Sequence, residues 1–367
     1  MKLSFLLTTG LLLSGTAALA VSQTGGSTFL LTPEQAAVLD RMQLVERTDG
    51  LGGTVRVLQI HGNVRVRNGL GATNGYPADP FDVLPDLTQT NGLGNVVLGY
   101  LEPATFHLAS THGGSHNLVV GRGLGYERFG SILVGSEHQV EAPHASILGG
   151  SGSRVTPAGY RASIVGANQG LATGNASSVI GGLENTASGF SAVAAGGLSN
   201  VASGEASSAS GGLRNTASGL NSSAAGGQDN LASGPESAVA GGFDNRATGN
   251  NATVLGGNGG LASGTNSVVS GGWGGVASGT NSVVSGGQSN TASGTESVVS
   301  GGLLCIASGN NATVTGGREN LASGTNSTVT GGFNNNAGGT NSVVSGGANR
   351  SANGTDDWAG GGLWEND

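Results

Sequence analysis

The chain has 367 residues, of which 72 are glycine, 10% charged and 4% aromatic, and its formal net charge is −8. So much glycine and so few rings are wrong for the two or three compact domains that this length would otherwise suggest. The sparse, acidic charge leaves no basic patch for nucleic acid and no polybasic anchor for anionic lipid.

Residues 1–20 have the pattern of a secretory leader. Lys2 gives the positive start, Leu6, Leu7 and Leu11 to Leu13 the apolar stretch, and Ala18-Leu19-Ala20 the small-residue cleavage site. No cysteine follows that site to carry a lipid, and no later run of eighteen apolar residues offers an integral membrane span. An exported location, extracellular or on a cell surface, with the periplasm as the other setting, is the expectation.

Residues 21–53 form an N-terminal segment with a short helix. Thr32-Pro33-Glu34-Gln35 supplies its cap, and Val38, Met42 and Val45 share one face. Residues 54–93 are expected to form a hairpin and loop cap: Thr54–Ile60 and Asn63–Arg67 alternate apolar and polar residues around Gly62, and Asn68–Gln89 is loop-like in composition.

Irregular coils occupy residues 94–165. Gly94-Asn95-Val96-Val97-Leu98-Gly99 is echoed at Ser115–Gly121, Ser131–Gly135, Ser146–Gly149 and Ser163–Gly166, with glycine spacings of 22, 14, 14 and 17. The long first interval predicts a bulging loop. Larger apolar residues make this the stiffest part of the chain.

Over residues 166–360 the period locks at fifteen. Paired glycines recur without a slip from Gly181-Gly182 to Gly346-Gly347. Self-similarity at such a period is the signature of a solenoid, in which each copy is one coil. Counting positions from the first glycine of each pair, position seven is always alanine (Ala172 to Ala352) and position nine always glycine (Gly174 to Gly354). Glycine at nine predicts a corner with positive φ. At position fourteen Val239, Val254, Val269, Val284, Val299, Val314, Val329 and Val344 form an inward core ladder, while Ala209 and Ala224 mark the weakest packing. Position thirteen is often valine too, as in Val268, Val283, Val298 and Val343. Neighbours on a strand point to opposite faces, so a second apolar face is expected. A core this thin, unsupported by disulfides, predicts association with further copies of the chain. Residues 361–367 then make a C-terminal cap or tail, introduced by Trp358 at a position normally held by valine.

The segment Asn281-Ser282-Val283-Val284-Ser285-Gly286 and its copies resemble the NSVAIG-type motif of the YadA-like head of trimeric autotransporter adhesins, a bacterial family. The resemblance covers roughly Gly94 to Gly360. It implies an all-β, left-handed parallel β-roll, a homotrimer packed around a common axis, and a non-enzymatic role in cell adhesion toward a host, matrix or glycan surface. Coils in that family are usually about fourteen residues long, and its stalk and membrane anchor have no counterpart in these residues.

Candidate chemistry is sparse. His107, His112 and His116 are close enough for a metal site, yet no cysteine or paired carboxylate accompanies them, and an HxxxH in a loop lacks the helical face that fixes such ligands. Cys305 takes the place of the asparagine usual at position five. It is a tolerated substitution or, in an exported chain, an odd thiol able to pair between chains. Gly257–Ala262 fits a dinucleotide-binding fingerprint in letters only, because the repeat forbids the following helix. Neither a catalytic set nor a cofactor is expected. At position three, Leu183, Leu198, Leu213, Phe243, Trp273, Leu303 and Phe333 form a stripe suited either to a binding surface or to an interface between chains.

A second function of a different class is an ice-binding β-solenoid. Such proteins present ranks of Thr-x-Thr on a flat exposed face, and Thr313-Val314-Thr315 and Thr328-Val329-Thr330 stand in adjacent coils. A glycan-cleaving β-helix enzyme would need carboxylates clustered on one face, which the repeat does not provide.

Overall fold

A computed structural model describes residues 19–22, 28–31, 41–48, 54–60, 64–83, 87–100, 102–104 and 111–360. The chain divides into two units, residues 1–65 and 66–367.

The first unit contains two antiparallel pairs. Leu19–Ser22 pairs with Thr28–Leu31, and Met42–Thr48 pairs with Thr54–Ile60. This corrects two expectations. Met42 and Val45 lie on a strand, not a helix, and Thr54–Ile60 takes its partner from before it rather than from Asn63–Arg67. Val64–Arg67 is not a strand, and His61–Asn63 lie outside the described residues. The reason is visible in the register: Met42, Leu44 and Val45 oppose Ile60, Leu58 and Val57, so a seven-residue ladder sets apolar side chains opposite apolar ones, which outweighs a three-residue helical stripe. The expected helix start at Thr32–Gln35, most of the leader and residues 361–367 lie outside the described residues.

The second unit is a parallel β-solenoid of about sixteen coils, and no helix occurs among the described residues. Positions thirteen and fourteen of successive coils stack into one parallel sheet, here side one. It runs from Val96–Leu98 through Leu118–Arg122, Ile132–Ser136, Ser146–Ser151 and Ser163–Val165 to Trp358–Ala359. Positions six and seven stack into a sixteen-stranded parallel sheet, side two, from Gly125–Tyr126 to Ser351–Ala352. Position three adds a line of single-residue bridges, side three. Around Gly286, the backbone N–H groups of Val283, Ser285, Gln288, Thr291 and Ser293 each donate to a carbonyl one coil further on at 2.8–2.9 Å. Backbone pairing between coils carries much of the fold.

The core is a stack of columns. Positions five, seven, nine, twelve and fourteen point inward in the regular coils. The Val239 to Val344 ladder is buried throughout, as are the position-seven alanines from Ala172 to Ala352. Larger buried side chains, among them Phe129, Leu124, Leu133, Ile147 and Ile164, concentrate in the irregular coils. Sequence periodicity thus located side one, whereas position seven was legible only as a small apolar column and not as a second sheet.

The corners differ from expectation in one respect. Position-nine glycines do not have positive φ. Left-handed residues stand instead at position two (Gly287, φ 79), position four (Ser289, φ 53) and position eleven (Glu296, φ 56). Gly294 is required for another reason: a Cβ there would run into the backbone carbonyl of Gly309 in the next coil. Close stacking, not turn geometry, excludes a side chain at that column.

Candidate functional site

The alternation along each strand assigns every side chain to the interior or to one of three outer faces. On side one, position fourteen is inside and positions thirteen and fifteen are outside. Val284 is fully buried, while Val283 is half-buried and Ser285 exposed. The sequence expectation of a second apolar face is therefore met in placement: position thirteen points away from the coil's own core.

From Ser163 to Ser345 side one has no charged residue at position thirteen or fifteen, and from Val268 on it is built of Val, Ser and Thr alone. Its rungs read Thr253 and Leu255, then Val268 and Ser270, Val283 and Ser285, Val298 and Ser300, Thr313 and Thr315, Thr328 and Thr330, Val343 and Ser345. Rung pairing is in strict register across the series, so Val283 meets Val298, Val298 meets Thr313 and Thr313 meets Thr328. The result is a net of methyl and hydroxyl groups about 4.8 Å apart along the solenoid and roughly 6.7 Å apart along each strand. Valine and threonine have stiff χ1 torsions, so the net is ordered before anything binds. At the C-terminal end Trp358 lies on the same side, its Nε1 donating to Ser345 Oγ at 2.8 Å.

Side two is less regular. Position eight offers a run of hydroxyls, Ser263, Ser278, Ser293, Ser308 and Ser323 among them, but position six varies between Leu261, Val276, Thr291, Ile306 and Arg246. Side three carries the stripe picked out from sequence. Leu183, Leu198, Phe243, Trp273 and Phe333 are exposed, and Leu213 and Leu303 half-buried. They point to solvent in the single chain, and Gln228, Asn258, Gln288 and Arg318 break the stripe. The Arg318 guanidinium lies 5.5 Å from the ring centre of Phe333.

Histidine positions give no convergence on a metal. His112 places Nε2 3.1 Å from the Leu124 carbonyl, with its ring tilted against Tyr126. His116 occupies a left-handed turn (φ 55), and His107 lies outside the described residues. Among the described residues no three His, Cys, Asp or Glu side chains gather into a potential metal site. Cys305 is buried with its Sγ 3.6 Å from the carbonyls of Gly316 and Gly317. It is therefore turned inward, away from any partner chain.

The column whose role sequence reading left unassigned is position five. Buried asparagines there form a ladder: Asn230 donates from Nδ2 to Gly226 O (2.8 Å) and Gly242 O (3.0 Å), and its Oδ1 accepts the N–H of Asn245 (3.0 Å). The signal was the recurrence of asparagine itself, which a pattern of apolar positions does not weigh. Gly260, Gly275 and Cys305 interrupt it. This column ties the paired-glycine turn of each coil to the next coil.

No curated protein sequence matches the chain. A family model described as the grass antifreeze beta roll matches residues 217–306, a stretch that includes the side-one rungs from Ser223 to Ser300.

Proposed function

We propose that the solenoid binds ice through side one. The observation that carries the reading is the uncharged, in-register net of Val, Ser and Thr from Val268 to Ser345, in a chain of which residues 217–306 match an antifreeze β-roll model. Ice offers a plane of oxygens whose repeat is of the same order as the roughly 4.8 by 6.7 Å net. Methyl groups at position thirteen order water beside them, while hydroxyls at thirteen and fifteen bond into it. Neither needs a deep pocket, and neither is disturbed by salt as a charged face would be. The two Thr-x-Thr rungs, Thr313 to Thr315 and Thr328 to Thr330, extend the same net beyond the matched stretch.

Side one suits a planar ligand better than side two because of what stands at the outer positions. A position-six arginine, Arg246, and leucines of different reach roughen side two, whereas side one keeps to short side chains from Val268 to Ser345. The leader-like residues 1–20 fit an exported protein that meets extracellular ice.

Thermal hysteresis and ice-recrystallisation assays on the purified chain test this. Activity at micromolar protein is expected. No activity, together with binding to glycan or matrix surfaces, would instead favour the adhesin-head reading suggested by the Asn281–Gly286 motif.

A further inference from the structure

The same side changes character toward its N-terminal end. In the six rungs from Val96 to Ile180, position fifteen is always a large aliphatic residue, from Leu98 to Ile180. Position thirteen splits in half. The first three rungs carry Val96, Leu118 and Ile132, and the next three carry Ser146, Ser163 and Ser178. Exposure runs from 39% at Ile132 to 59% at Leu98 for seven of these aliphatic groups, while Val120 and Val134 are half-buried. On the order of 600 Å² of apolar surface is left open, at the upper end of what a monomer usually shows.

We infer that this patch is a two-fold interface between two copies of the chain, packed face to face with their solenoids antiparallel. Two features select a second copy as the occupant. The first is area: two such patches would together bury on the order of 1,200 Å², the lower bound of a specific interface. The second is self-complementarity. A two-fold axis lying in the interface, across the solenoids and between the Ile132 and Ser146 rungs, places each rung over its mirror in the series. Val96 then stands over Ser178 of the other copy, Leu118 over Ser163, and Ile132 over Ser146. Each bulky residue meets a serine, and each serine a bulky residue. At position fifteen large residues meet large ones, as Leu98 meets Ile180. An isologous contact requires such self-matching. The paired rungs end at Ile180, short of the net from Thr253 onward.

Sedimentation velocity of the full chain over a wide concentration range tests this. A reversible monomer–dimer equilibrium is expected. Ser163→Leu makes the patch more apolar, yet sets two leucines against each other, and should weaken association about tenfold. Combining it with Leu118→Ser exchanges bulk and gap across the axis and should restore most of the loss, as coupled contacts do. Circular dichroism and melting of each variant report whether the fold is kept. A chain that stays monomeric throughout, a trimer, or tighter association of Ser163→Leu would overturn the proposal.

Discussion

The Oδ1 of Asn185 accepts the backbone N–H of Asn200, one coil on, at 2.9 Å, and Asn200 does the same for Asn215. Each asparagine thus satisfies backbone groups in two coils. The link it makes is buried, where an unpaired polar group costs about 1–3 kcal/mol. Asn230→Ala would strip partners from two carbonyls and one N–H, and is expected to destabilise the solenoid by about 2–5 kcal/mol in denaturant unfolding. Cys305 is the natural experiment in the opposite direction, since its sulfur sits 3.6 Å from carbonyls that an asparagine would bond properly. Cys305→Asn should raise stability by about 1–2 kcal/mol. An unchanged midpoint for both variants would remove the ladder from the list of stabilising features.

Glycine at position nine and glycine at position one are equally invariant across the regular repeats, but they are there for different reasons. A Cβ on Gly294 would strike the Gly309 carbonyl, whereas one on Gly301 would meet nothing within 4 Å. Gly294→Ala should therefore push two coils apart and cost more than about 3 kcal/mol, in the range of strongly disruptive core changes. Gly301→Ala should be neutral or stabilise by up to about 1 kcal/mol through the unfolded chain. Thermal melts of the pair separate close stacking from a general demand for flexibility, which would make both variants fail alike.

Legibility in the sequence followed the physics of each column. The period of fifteen and the alternation of Val283 outside with Val284 inside were readable because burial leaves an apolar trace at fixed spacing. The glycine corner was misplaced because small size has two causes, positive φ and a close neighbour, and only coordinates tell Gly287 from Gly294. Met42 and Val45 were assigned to a helix from three apolar residues, while the match with Val57 and Ile60 that makes them a strand depends on residues twelve or more positions away. The candidate ice face was legible only as the pair of Thr-x-Thr rungs. Its extension through Val268 to Ser300 needed the in-register stacking, which shows that valine and serine at these positions share one plane with the threonines.

Side-specific substitution separates a binding plane from a generally sticky rod. Val283→Arg places a long charged side chain in the middle of side one, whereas Thr291→Arg places the same group on side two, where Arg246 already stands. Both positions are at the surface, so melting should shift little, within about 0.5 kcal/mol. Thermal hysteresis is expected to fall several-fold or vanish in Val283→Arg and to persist in Thr291→Arg. Equal loss in both, or loss in Thr291→Arg alone, would move the proposed plane off side one.

The irregular coils carry a titrating group whose effect has a definite sign. The His144 ring packs edge-on against Phe129, centroids 5.2 Å apart, and 6.0 Å from Tyr160, while the Arg161 guanidinium lies over Tyr160. Burial, helped by the Arg161 charge, lowers the pKa of His144 below the ordinary histidine value. The folded chain therefore holds this proton less tightly than the unfolded chain. Stability is complete above the unfolded value of about 6.5, declines as pH falls below it, and stops declining only below the depressed folded value. His144 is more than a third exposed, so solvent screening keeps the slope well below the one-proton limit of about 1.4 kcal/mol per pH unit. Unfolding midpoints measured from about pH 7 down to pH 5 should fall for the native chain and fall less for His144→Phe, which keeps a ring between Phe129 and Tyr160 but cannot take up the proton. Identical slopes for the two proteins would show that His144 protonates as readily in the folded solenoid as in the unfolded chain.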